Sequence, residues 1–404
     1  MITFAESQAL LAGLDVAGRA ARTEPCDLRA AGGRFLAADV RIDRDQPGFD
    51  RATMDGYAVV PDGERTVFDV VGTVIAGTVH EGALAPGQAV RIMTGAPAPV
   101  GTTVVPVERT TPIDDGAQVQ LEASPPPGKN IAWRGEDARE GDTLVSRGTR
   151  LAPAHLSVAA MAGAGEVEVF QRPRVSVVTT GDEVGAAGKA GIRDSNGPLL
   201  DALMASLEVE VSRRHARDQE GELRAALEAA AADADVVVTT GGVSMGERDL
   251  VPATLSELGY ETVFHKVQVQ PGKPVLVARR PDGALFVGLP GNPVSVLATA
   301  HLFLMPALGL YLGGWRPASF EAPMADAYEH RGRRHLFLPA SFEGGGIVPA
   351  RWNGSGDLIA AAAADGLVEL PVGAAFEAGA PVRFTPYVGH ALSERAAMPQ
   401  RAGR

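Results

Sequence analysis

The chain has 404 residues, of which 45% are hydrophobic, and a formal net charge of −12. This length indicates roughly two to four domains. The acidic balance excludes a global basic surface for nucleic acid, although a pocket for a small anion can still be locally positive. The single cysteine, Cys26, excludes an intramolecular disulfide and a cysteine zinc cluster. We expect it to be a free thiol in a reducing compartment, the cytoplasm.

The N-terminal segment predicts a helix, because Thr3 and Glu6 have the spacing of a capping box. It has neither the basic region nor the apolar region of a signal peptide. One apolar run, residues 294–313, approaches the length of a bilayer span, but polar side chains and Pro306 interrupt it. We therefore expect a buried helix here and no contact with a membrane.

Changes in composition divide the chain into zones. Residues 1–42 are helical in pattern, and residues 43–135 alternate short β-like runs with Pro/Gly turns, which indicates a β-rich domain. A further helix is predicted over residues 150–165. Residues 315–390 return to short β-like segments, typical of a small barrel or sandwich, and residues 391–404 are predicted to be a tail.

Residues 172–314 alternate strands with helices, which is the pattern of a three-layer α/β domain with a mostly parallel sheet. A hairpin is predicted around Asp282 and Gly283, and a long helix follows it. In such sheets ligands bind beyond the carboxyl ends of the strands. The residues at those ends are therefore the first candidates for a site.

Two strands of this zone end alike, in the runs TTGDE and TTGGVSMGERD. Their threonine hydroxyls and the amides of Gly181, Gly241 and Gly242 suit phosphate oxygens. Glu183 and Asp249 would repel a phosphate, and suit Mg²⁺ coordination, hydrogen bonds from a heterocycle, or acid–base chemistry. Alternatively the glycines only make tight turns and Asp249 caps a helix. Two matching turns on one sheet favour the ligand site.

Two more loops of this zone are candidates. The run GLPGNP, residues 288–293, is stiffened by its prolines and opens the long helix. A simple helix start with Asn292 as N-cap would not account for the whole run. The run HKVQVQPGKP brings Lys266, Gln270 and Lys273 near another strand end, where a lysine held by the Pro-Gly turn suits an oxyanion. Taken alone, such a lysine is more typical of a solvated loop charge.

The β-rich zone places Asp55 and Thr94 on loop tips, and Asp137 follows it in the run RGED. Each of these residues on its own is typical of ordinary turn chemistry. No Ser/His/Asp or Cys/His set is spaced for covalent catalysis, and the histidines are scattered.

Together these runs resemble those of the molybdopterin molybdotransferases, the family that includes the gephyrin E-domain. The matching runs are PGFDRATMDGYAV, RIMTGAPAP, RGED, TTGDE, DSN, TTGGVSMGERD, QPGKP and GLPGNPVS, between about residues 40 and 300. The resemblance implies a multidomain α/β fold with four parts, namely a discontinuous helical linker domain (1–42 and 136–171), an inserted irregular β domain (43–135), an α/β molybdopterin-binding domain (172–314) and a C-terminal β-barrel (315–390).

The resemblance also implies a homodimer whose site lies between the α/β domain of one chain and the inserted β domain of the other. The implied reaction inserts molybdenum from molybdate into adenylylated molybdopterin, with Mg²⁺ assisting and AMP leaving. Molybdopterin adenylyltransferase and molybdoenzyme acceptors are the transient partners that it suggests.

Individual residues take roles from the resemblance. The expected catalytic residues are Asp55, Thr94, Asp137, Glu183 and Asp249, and the expected Mg²⁺ ligands are Asp218 and Asp249. Molybdate would bind fixed cations and donors, and the adenylate and phosphates would bind the two glycine turns. The expected substrate-binding residues are Thr180, Gly181, Asp218, Gly241, Gly242, Ser244, Lys266, Gln270, Lys273, Pro274, Pro290, Pro293, Arg334 and Ser355.

One position departs from the family pattern, because many members carry lysine where this chain has Gln270. The lost charge should weaken oxyanion binding or shift the preference between molybdate and tungstate. Two alternatives stay open, namely a non-catalytic molybdopterin-binding scaffold and a nucleotide enzyme of the CinA-like or adenylyltransferase type. The second class lacks the runs MDGYAV and RIMTGAP, and the retained Asp55, Glu183, Asp249 and Lys273 argue against the first.

Overall fold

A computed structural model of the chain describes residues 1–20, 22–185, 191–217, 219–243 and 250–389. Three of the predicted site residues, Asp218, Ser244 and Asp249, lie outside the described residues.

The α/β domain is built on a six-stranded sheet. In spatial order its strands are Val211–Ala216, Val175–Thr180, Val236–Thr240, Leu285–Leu289, Leu276–Arg279 and Glu261–His265. The first four are parallel to one another. The predicted hairpin pairs Leu276–Arg279 antiparallel with Leu285–Leu289, and Glu261–His265 is antiparallel to Leu276–Arg279. The mostly parallel sheet is thus confirmed.

Helices cover both faces of this sheet. They are Asn196–Ser206, Glu220–Asp233, Leu250–Glu257 and the long helix Pro293–Tyr311, which consists of Pro293–Thr299, a π segment Ala300–Leu304 and Met305–Tyr311. Successive strand residues point to opposite faces. Val236 and Val238 accordingly pack in one hydrophobic cluster, whereas Val237 packs in another. Both faces are therefore buried, as a three-layer domain requires.

The long helix Pro293–Tyr311 is long and apolar enough to cross a membrane, but 94% of its most apolar window is buried inside the molecule. Its partners include the N-terminal helix Phe4–Ala12, where the Phe4 ring contacts Phe303 at 6.2 Å between ring centroids. The expectation of a buried helix is confirmed. The capping box of the N-terminal helix is also present, because Thr3 and Glu6 exchange side-chain to backbone hydrogen bonds.

A buried carboxylate joins the N-terminal segment to the sheet. Asp235, just before the strand Val236–Thr240, is completely buried and lies 2.7 Å from Arg19 Nη1 and 2.6 Å from Arg22 Nη2. It also accepts a hydrogen bond from the backbone N–H of Arg174 at 2.8 Å. Burial alone would raise the pKa of Asp235, but these partners outweigh it and lower the pKa below its ordinary value.

The segments 1–42 and 136–171 contain strands as well as helices. The helices are Phe4–Ala12, Ala17–Ala20, the short 3₁₀ turn Leu28–Ala30 and Pro153–Met161. The strand Thr23–Asp27 pairs antiparallel with Glu166–Phe170, and Val40–Arg41 pairs with Thr143–Val145. The prediction of a helical pattern was therefore only partly right. Glu166–Phe170 alternates glutamates with buried valines, which is the period of a strand.

The β-rich zone has the character that was predicted. Its six-stranded sheet has the spatial order Thr103–Pro106, Gly56–Val59, Gln88–Ile92, Val67–Val74, Gln118–Leu121 and Thr110–Ile113. The short pair Arg51–Ala52 and Ile131–Ala132 joins the start of the zone to its end. Short 3₁₀ turns occupy Val107–Arg109 and Asp114–Gly116.

The C-terminal zone contains a further six-stranded sheet, whose first strand lies in the α/β zone. Its order is Val269–Gln270, His335–Glu343, Gly366–Leu370, Pro381–Pro386 and Phe320–Pro323, with Gly346–Pro349 paired to His335–Glu343. The pair Tyr328–Glu329 and Ala375–Phe376 and the helix Leu358–Ala362 complete the zone.

The apolar run ETVFHKVQV is divided between the α/β sheet and the C-terminal sheet. Glu261–His265 belongs to the α/β sheet, and Val269–Gln270 pairs parallel with His335 and Leu336 of the C-terminal sheet. At the break Lys266 has a φ of 67°, in the left-handed region, which cannot continue a strand. The chain therefore turns here, and Gln270 comes to lie beside the C-terminal sheet.

Candidate active site

A cavity of about 610 Å³ lies where the α/β domain meets the C-terminal sheet. We call it the Lys273 cavity. It is lined by Gly241, Gly242, Val243, Gln270, Pro271, Gly272, Lys273, Pro274, Pro290, Gly291, Asn292, Ser295, Arg334, Trp352, Gly354 and Ser355. It thus brings together two strand ends, two loops and the C-terminal zone. Eight predicted site residues, from five separate runs of the sequence, are among its lining.

The Lys273 cavity is positively charged although the whole chain is acidic. Lys273 and Arg334 contribute two cations, and its described lining contains no aspartate or glutamate. Neither cation forms an ion pair with a carboxylate in the part of the chain that the structure describes. These two cations, the Ser355 hydroxyl and the Gln270 amide are the donors that a small oxyanion requires.

The loop that carries Lys273 is held by its own backbone. Val267 N–H donates to the Lys273 carbonyl oxygen at 3.0 Å, and Lys266 N–H donates to Val275 at 3.0 Å. Gly272 has a φ of 103°, and a Cβ there would lie 2.2 Å from Thr299 Cγ2 on the long helix. Only glycine fits this position. The lysine therefore projects from a rigid turn rather than from a loose loop.

The run GLPGNP forms the wall between the two domains. Asn292 stands at the N-cap position of the long helix, yet its side chain makes no cap. Its Nδ2 donates instead to Ser355 Oγ at 2.8 Å, and Val294 N–H donates to the Ser355 carbonyl oxygen at 3.0 Å. Asn292 therefore links the start of the long helix to the C-terminal zone by a hydrogen bond. The sequence of the run did not indicate this contact.

A second cavity, of about 250 Å³, adjoins the first. We call it the Glu183 cavity. Its lining is Thr179, Thr180, Gly181, Glu183, Val184, Ile192, Arg193, Asp194, Ser195, Asn196, Thr240, Gly241, Gly242, Gly291, Asn292 and Pro293. Four of these residues, Gly241, Gly242, Gly291 and Asn292, also line the Lys273 cavity. One ligand can thus reach from one cavity into the other along the glycine turn.

The two TTG turns lie side by side, as their sequences predicted. Thr179 is in register with Thr240, and Thr180 Oγ1 donates to the Thr240 carbonyl oxygen at 3.2 Å. Gly241 has a φ of 90°, and a Cβ there would lie 2.7 Å from Thr180 Oγ1. The glycine is therefore required for the close approach of the turns. The Gly241 N–H itself donates to the Leu289 carbonyl oxygen at 2.9 Å, which holds the turn against the neighbouring strand.

The predicted residues of the β-rich zone line neither cavity. Asp55 and Thr94 are paired with each other, because the Thr94 N–H and hydroxyl donate to Asp55 Oδ1 at 2.6 and 2.8 Å. These two hydrogen bonds lower the pKa of Asp55. Asp137 is exposed, and its Oδ2 lies 3.8 Å from Arg51 Nη2. The three residues are thus accessible, but within one chain they do not line the Lys273 or Glu183 cavity.

Lys266, which was predicted to bind substrate, also lines neither cavity. Its left-handed backbone turns the chain from one sheet to the other. Conversely, sequence reasoning missed Trp352, Asn292 and Asn196 as lining residues. Trp352 stands three residues before Ser355 in the run WNGSG, so its proximity could have been inferred.

The described residues contain no group of three His, Cys, Asp or Glu side chains that could hold a metal ion. The two predicted Mg²⁺ ligands, Asp218 and Asp249, lie outside those residues. The described side chains alone therefore do not form a Mg²⁺ site.

Three family models match the chain in succession. The MoeA N-terminal region (domain I and II) matches residues 2–163, the probable molybdopterin binding domain matches residues 176–309, and the MoeA C-terminal region (domain IV) matches residues 321–387. A match to all three regions separates this chain from nucleotide enzymes that consist of the α/β domain alone, which was one of the open alternatives.

Individual relatives agree with the family models. The chain is 35% identical over 311 residues to a molybdopterin molybdenumtransferase of Haemophilus influenzae, covering 74% of this chain and 76% of the relative. It is 34% identical over 380 residues to that of Nostoc sp., covering 88% and 86%. The solved molybdopterin biosynthesis moeA protein of Pyrococcus horikoshii superposes with a TM-score of 0.81 at 27% identity, covering 96% of this chain and 100% of that one. The chain belongs to the molybdopterin molybdenumtransferase family.

Proposed function

We propose that this enzyme inserts molybdenum from molybdate into the dithiolene of adenylylated molybdopterin and releases AMP, as a step of molybdenum cofactor biosynthesis. The observation that carries the proposal is the continuity of two cavities of different character. The Lys273 cavity offers cations to a small oxyanion, and the Glu183 cavity offers hydroxyls and glycine amides to phosphates. A substrate that lies across both would present its dithiolene to the bound oxyanion.

Molybdate would be the ligand of the Lys273 cavity. It is a tetrahedral dianion, so it gains most from fixed positive charges and donors in a partly enclosed site. Lys273 and Arg334 would neutralise the charge, and Ser355 and Gln270 would donate to its oxygens. Pro274 and Pro290 would keep the two loops in shape. These residues bind and orient the oxyanion before the dithiolene sulfurs replace its oxygens.

The nucleotide part of the substrate would occupy the Glu183 cavity. Thr180, Gly181, Gly241 and Gly242 would face the phosphates, and Pro293 begins the helix whose N-terminal dipole favours negative charge there. Glu183 is exposed and cannot face a phosphate without repulsion, so it would accept a hydrogen bond from a ring N–H or a hydroxyl. Ser244, in the same glycine run, would add a further donor.

Mg²⁺ would assist by neutralising the phosphates when bound. Asp218 and Asp249 are its proposed ligands from the sequence, and the substrate's phosphate oxygens would complete the coordination.

The remaining proposed features concern assembly. A homodimer would bring Asp55, Thr94 and Asp137 of one chain to the cavities of the other, since these residues line no cavity of their own chain described above. The C-terminal zone would be a closed barrel. The segments 1–42 and 136–171 would together form the discontinuous helical linker domain into which the β domain is inserted. Molybdopterin adenylyltransferase would deliver the substrate, and molybdoenzyme acceptors would take the product.

The test is AMP release by the purified protein with adenylylated molybdopterin, Mg²⁺ and molybdate. We expect AMP to appear only when molybdate is present. Lys273→Gln should raise the molybdate concentration for half-maximal release roughly 10- to 100-fold, as for a hydrogen bond to a charged group. Lys266→Gln removes the same charge seven residues away and should leave that concentration unchanged. AMP release without molybdate, or none at all, would contradict the proposal.

A further inference from the structure

The interface between the α/β domain and the C-terminal zone, which we call the seam, contains a buried histidine that the proposed function does not use. His301 lies in the π segment Ala300–Leu304 of the long helix and is only 2% exposed. Its Nε2 accepts a hydrogen bond from the backbone N–H of Val388 at 2.9 Å. Val388 follows the last strand of the C-terminal sheet, Pro381–Pro386, so this bond joins the two domains.

The geometry fixes the protonation state of His301. A backbone N–H can only donate, so Nε2 must present a lone pair to Val388. Nδ1 lies 2.8 Å from the Leu297 carbonyl oxygen, which can only accept, so Nδ1 carries the proton. Burial lowers the pKa of His301 to about 4, which keeps this neutral tautomer in place near pH 7.

A small hydrophobic cluster surrounds the same seam. Val294 and Leu297 of the long helix pack with Ala361 of the C-terminal helix Leu358–Ala362, and the rings of Trp352 and Tyr387 pack against them. The Tyr387 ring also lies 5.3 Å from the His301 ring, between centroids. The cluster thus reaches from the histidine to Trp352, a residue of the Lys273 cavity.

The two cavities depend differently on this seam. The Lys273 cavity takes Arg334, Trp352, Gly354 and Ser355 from the C-terminal zone and the rest of its lining from the α/β zone. The described lining of the Glu183 cavity comes from the α/β zone alone. A loosened seam would therefore widen the first cavity and leave the second intact.

We infer that His301 is a positioning residue for the oxyanion site, because it fastens the C-terminal zone against the long helix so that Arg334 and Ser355 face Lys273. The identity of the oxyanion as molybdate rests on the proposed function. The contact acts through Val388 and the hydrophobic cluster, and His301 itself touches no substrate.

Two variants and a control test the inference. His301→Leu keeps the volume and removes the acceptor, so we expect the Kd for molybdate, measured by calorimetry on the full chain, to rise at least roughly fivefold, the scale of one lost hydrogen bond with its partner left buried. His301→Gln restores an acceptor at a similar reach and should recover most of the affinity. Met305→Leu, a buried volume-conserving change on the same helix, should leave the Kd unchanged.

A second readout separates positioning from general destabilisation. In the AMP-release assay, the molybdate concentration for half-maximal rate should rise in His301→Leu, and the KM for adenylylated molybdopterin should stay at the wild-type value. Equal molybdate affinity in wild type and His301→Leu, or a parallel rise of both constants, would overturn the inference. Failure of the wild-type protein to bind molybdate would instead contradict the proposed function.

Discussion

Asn292 donates a hydrogen bond from Nδ2 to Ser355 Oγ at 2.8 Å, and this bond closes the rim of the Lys273 cavity. The two residues are 63 positions apart and belong to different domains. Because Asn292 uses the Ser355 oxygen as an acceptor, the hydroxyl hydrogen stays free to point into the cavity. The serine can thus be oriented by one domain and donate to a ligand held by the other.

Ser355→Ala should therefore weaken molybdate binding. The variant loses one donor to the oxyanion and leaves the Asn292 amide without its acceptor, which corresponds to roughly a 3- to 10-fold higher molybdate requirement. The measurement is the molybdate concentration for half-maximal AMP release. Ser341→Ala is the matched control, since its hydroxyl makes only a 3.4 Å contact with Ala363 in the same zone. An unchanged requirement in Ser355→Ala would place the serine outside the binding site.

Gln270→Lys should tighten molybdate binding. Gln270 lines the cavity with Lys273 and Arg334, so a lysine there adds a third cation at a half-buried position. The gain is expected to be about 1 kcal/mol, or about fivefold in the half-maximal molybdate concentration. Gln171→Lys adds the same charge outside both cavities and should have no effect. If both variants behaved alike, the effect would be one of net charge and not of the site.

Mixed dimers should test whether Asp55 acts across chains. Asp55→Asn and Lys273→Gln are each expected to be strongly impaired as homodimers, since each defect then reaches every site. In a mixed dimer with a shared site, one site carries both defects and the other carries neither. Random pairing makes about half of the dimers mixed, so activity should return to roughly a quarter of wild type.

The mixed-dimer measurement is AMP release after co-expression with two different affinity tags and purification through both. Dimers isolated in this way are all mixed, so they should show about half of the wild-type activity. Persistent inactivity in these verified mixed dimers would mean that Asp55 and Lys273 serve the same site within one chain, or that Asp55 only orders the Thr94 turn.

Stability should fall in mild acid because of His301. The unfolded chain binds a proton near pH 6.5, whereas burial lowers the pKa of His301 in the folded protein to about 4. The unfolded state therefore binds more protons between these values, and the free energy of unfolding should decrease by up to about 1.4 kcal/mol per pH unit on going from pH 6.5 toward pH 4. Urea unfolding of wild type and His301→Gln at pH 7, 6 and 5 checks this. The difference between the two proteins should shift with pH in that window, and a constant difference would contradict it.

The α/β sheet and the β-rich zone followed from sequence pattern because their signals are local. Strands such as Val236–Thr240 are continuous apolar runs that end in glycine, and each lies next to a predicted helix. The strand Thr23–Asp27 had no such signal. It contains Pro25 and forms by pairing with Glu166–Phe170, more than 130 residues away. Such pairing depends on tertiary structure, which overrides local propensity.

In the candidate site, too, the features that depend on local sequence were predicted and those that depend on tertiary contacts were not. Lys273 was named from the distinctive run QPGKP. Arg334 and Ser355 were implied by the family resemblance, outside its matching runs, and the structure places all three residues at one cavity. Lys266 precedes Lys273 in the same run, but its own left-handed backbone turns the chain from one sheet to the other, and it lines neither cavity. Asn292 had an ordinary local explanation as a cap. Its contact with Ser355 depends on how two distant domains meet, which a sequence pattern does not encode.

The Asp235 cluster has a consequence for any attempt to study the α/β domain in isolation. A fragment starting near residue 172 would lack Arg19 and Arg22, and with them both close guanidinium partners of a carboxylate that is completely buried. Arg174 Nε, at 3.8 Å, would be the remaining ion-pair partner among the described residues. Removing the partners of a buried charge costs about 3–5 kcal/mol. The excised fragment should therefore be poorly soluble or partly unfolded, and replacing Asp235 with asparagine should stabilise the fragment while destabilising the intact chain.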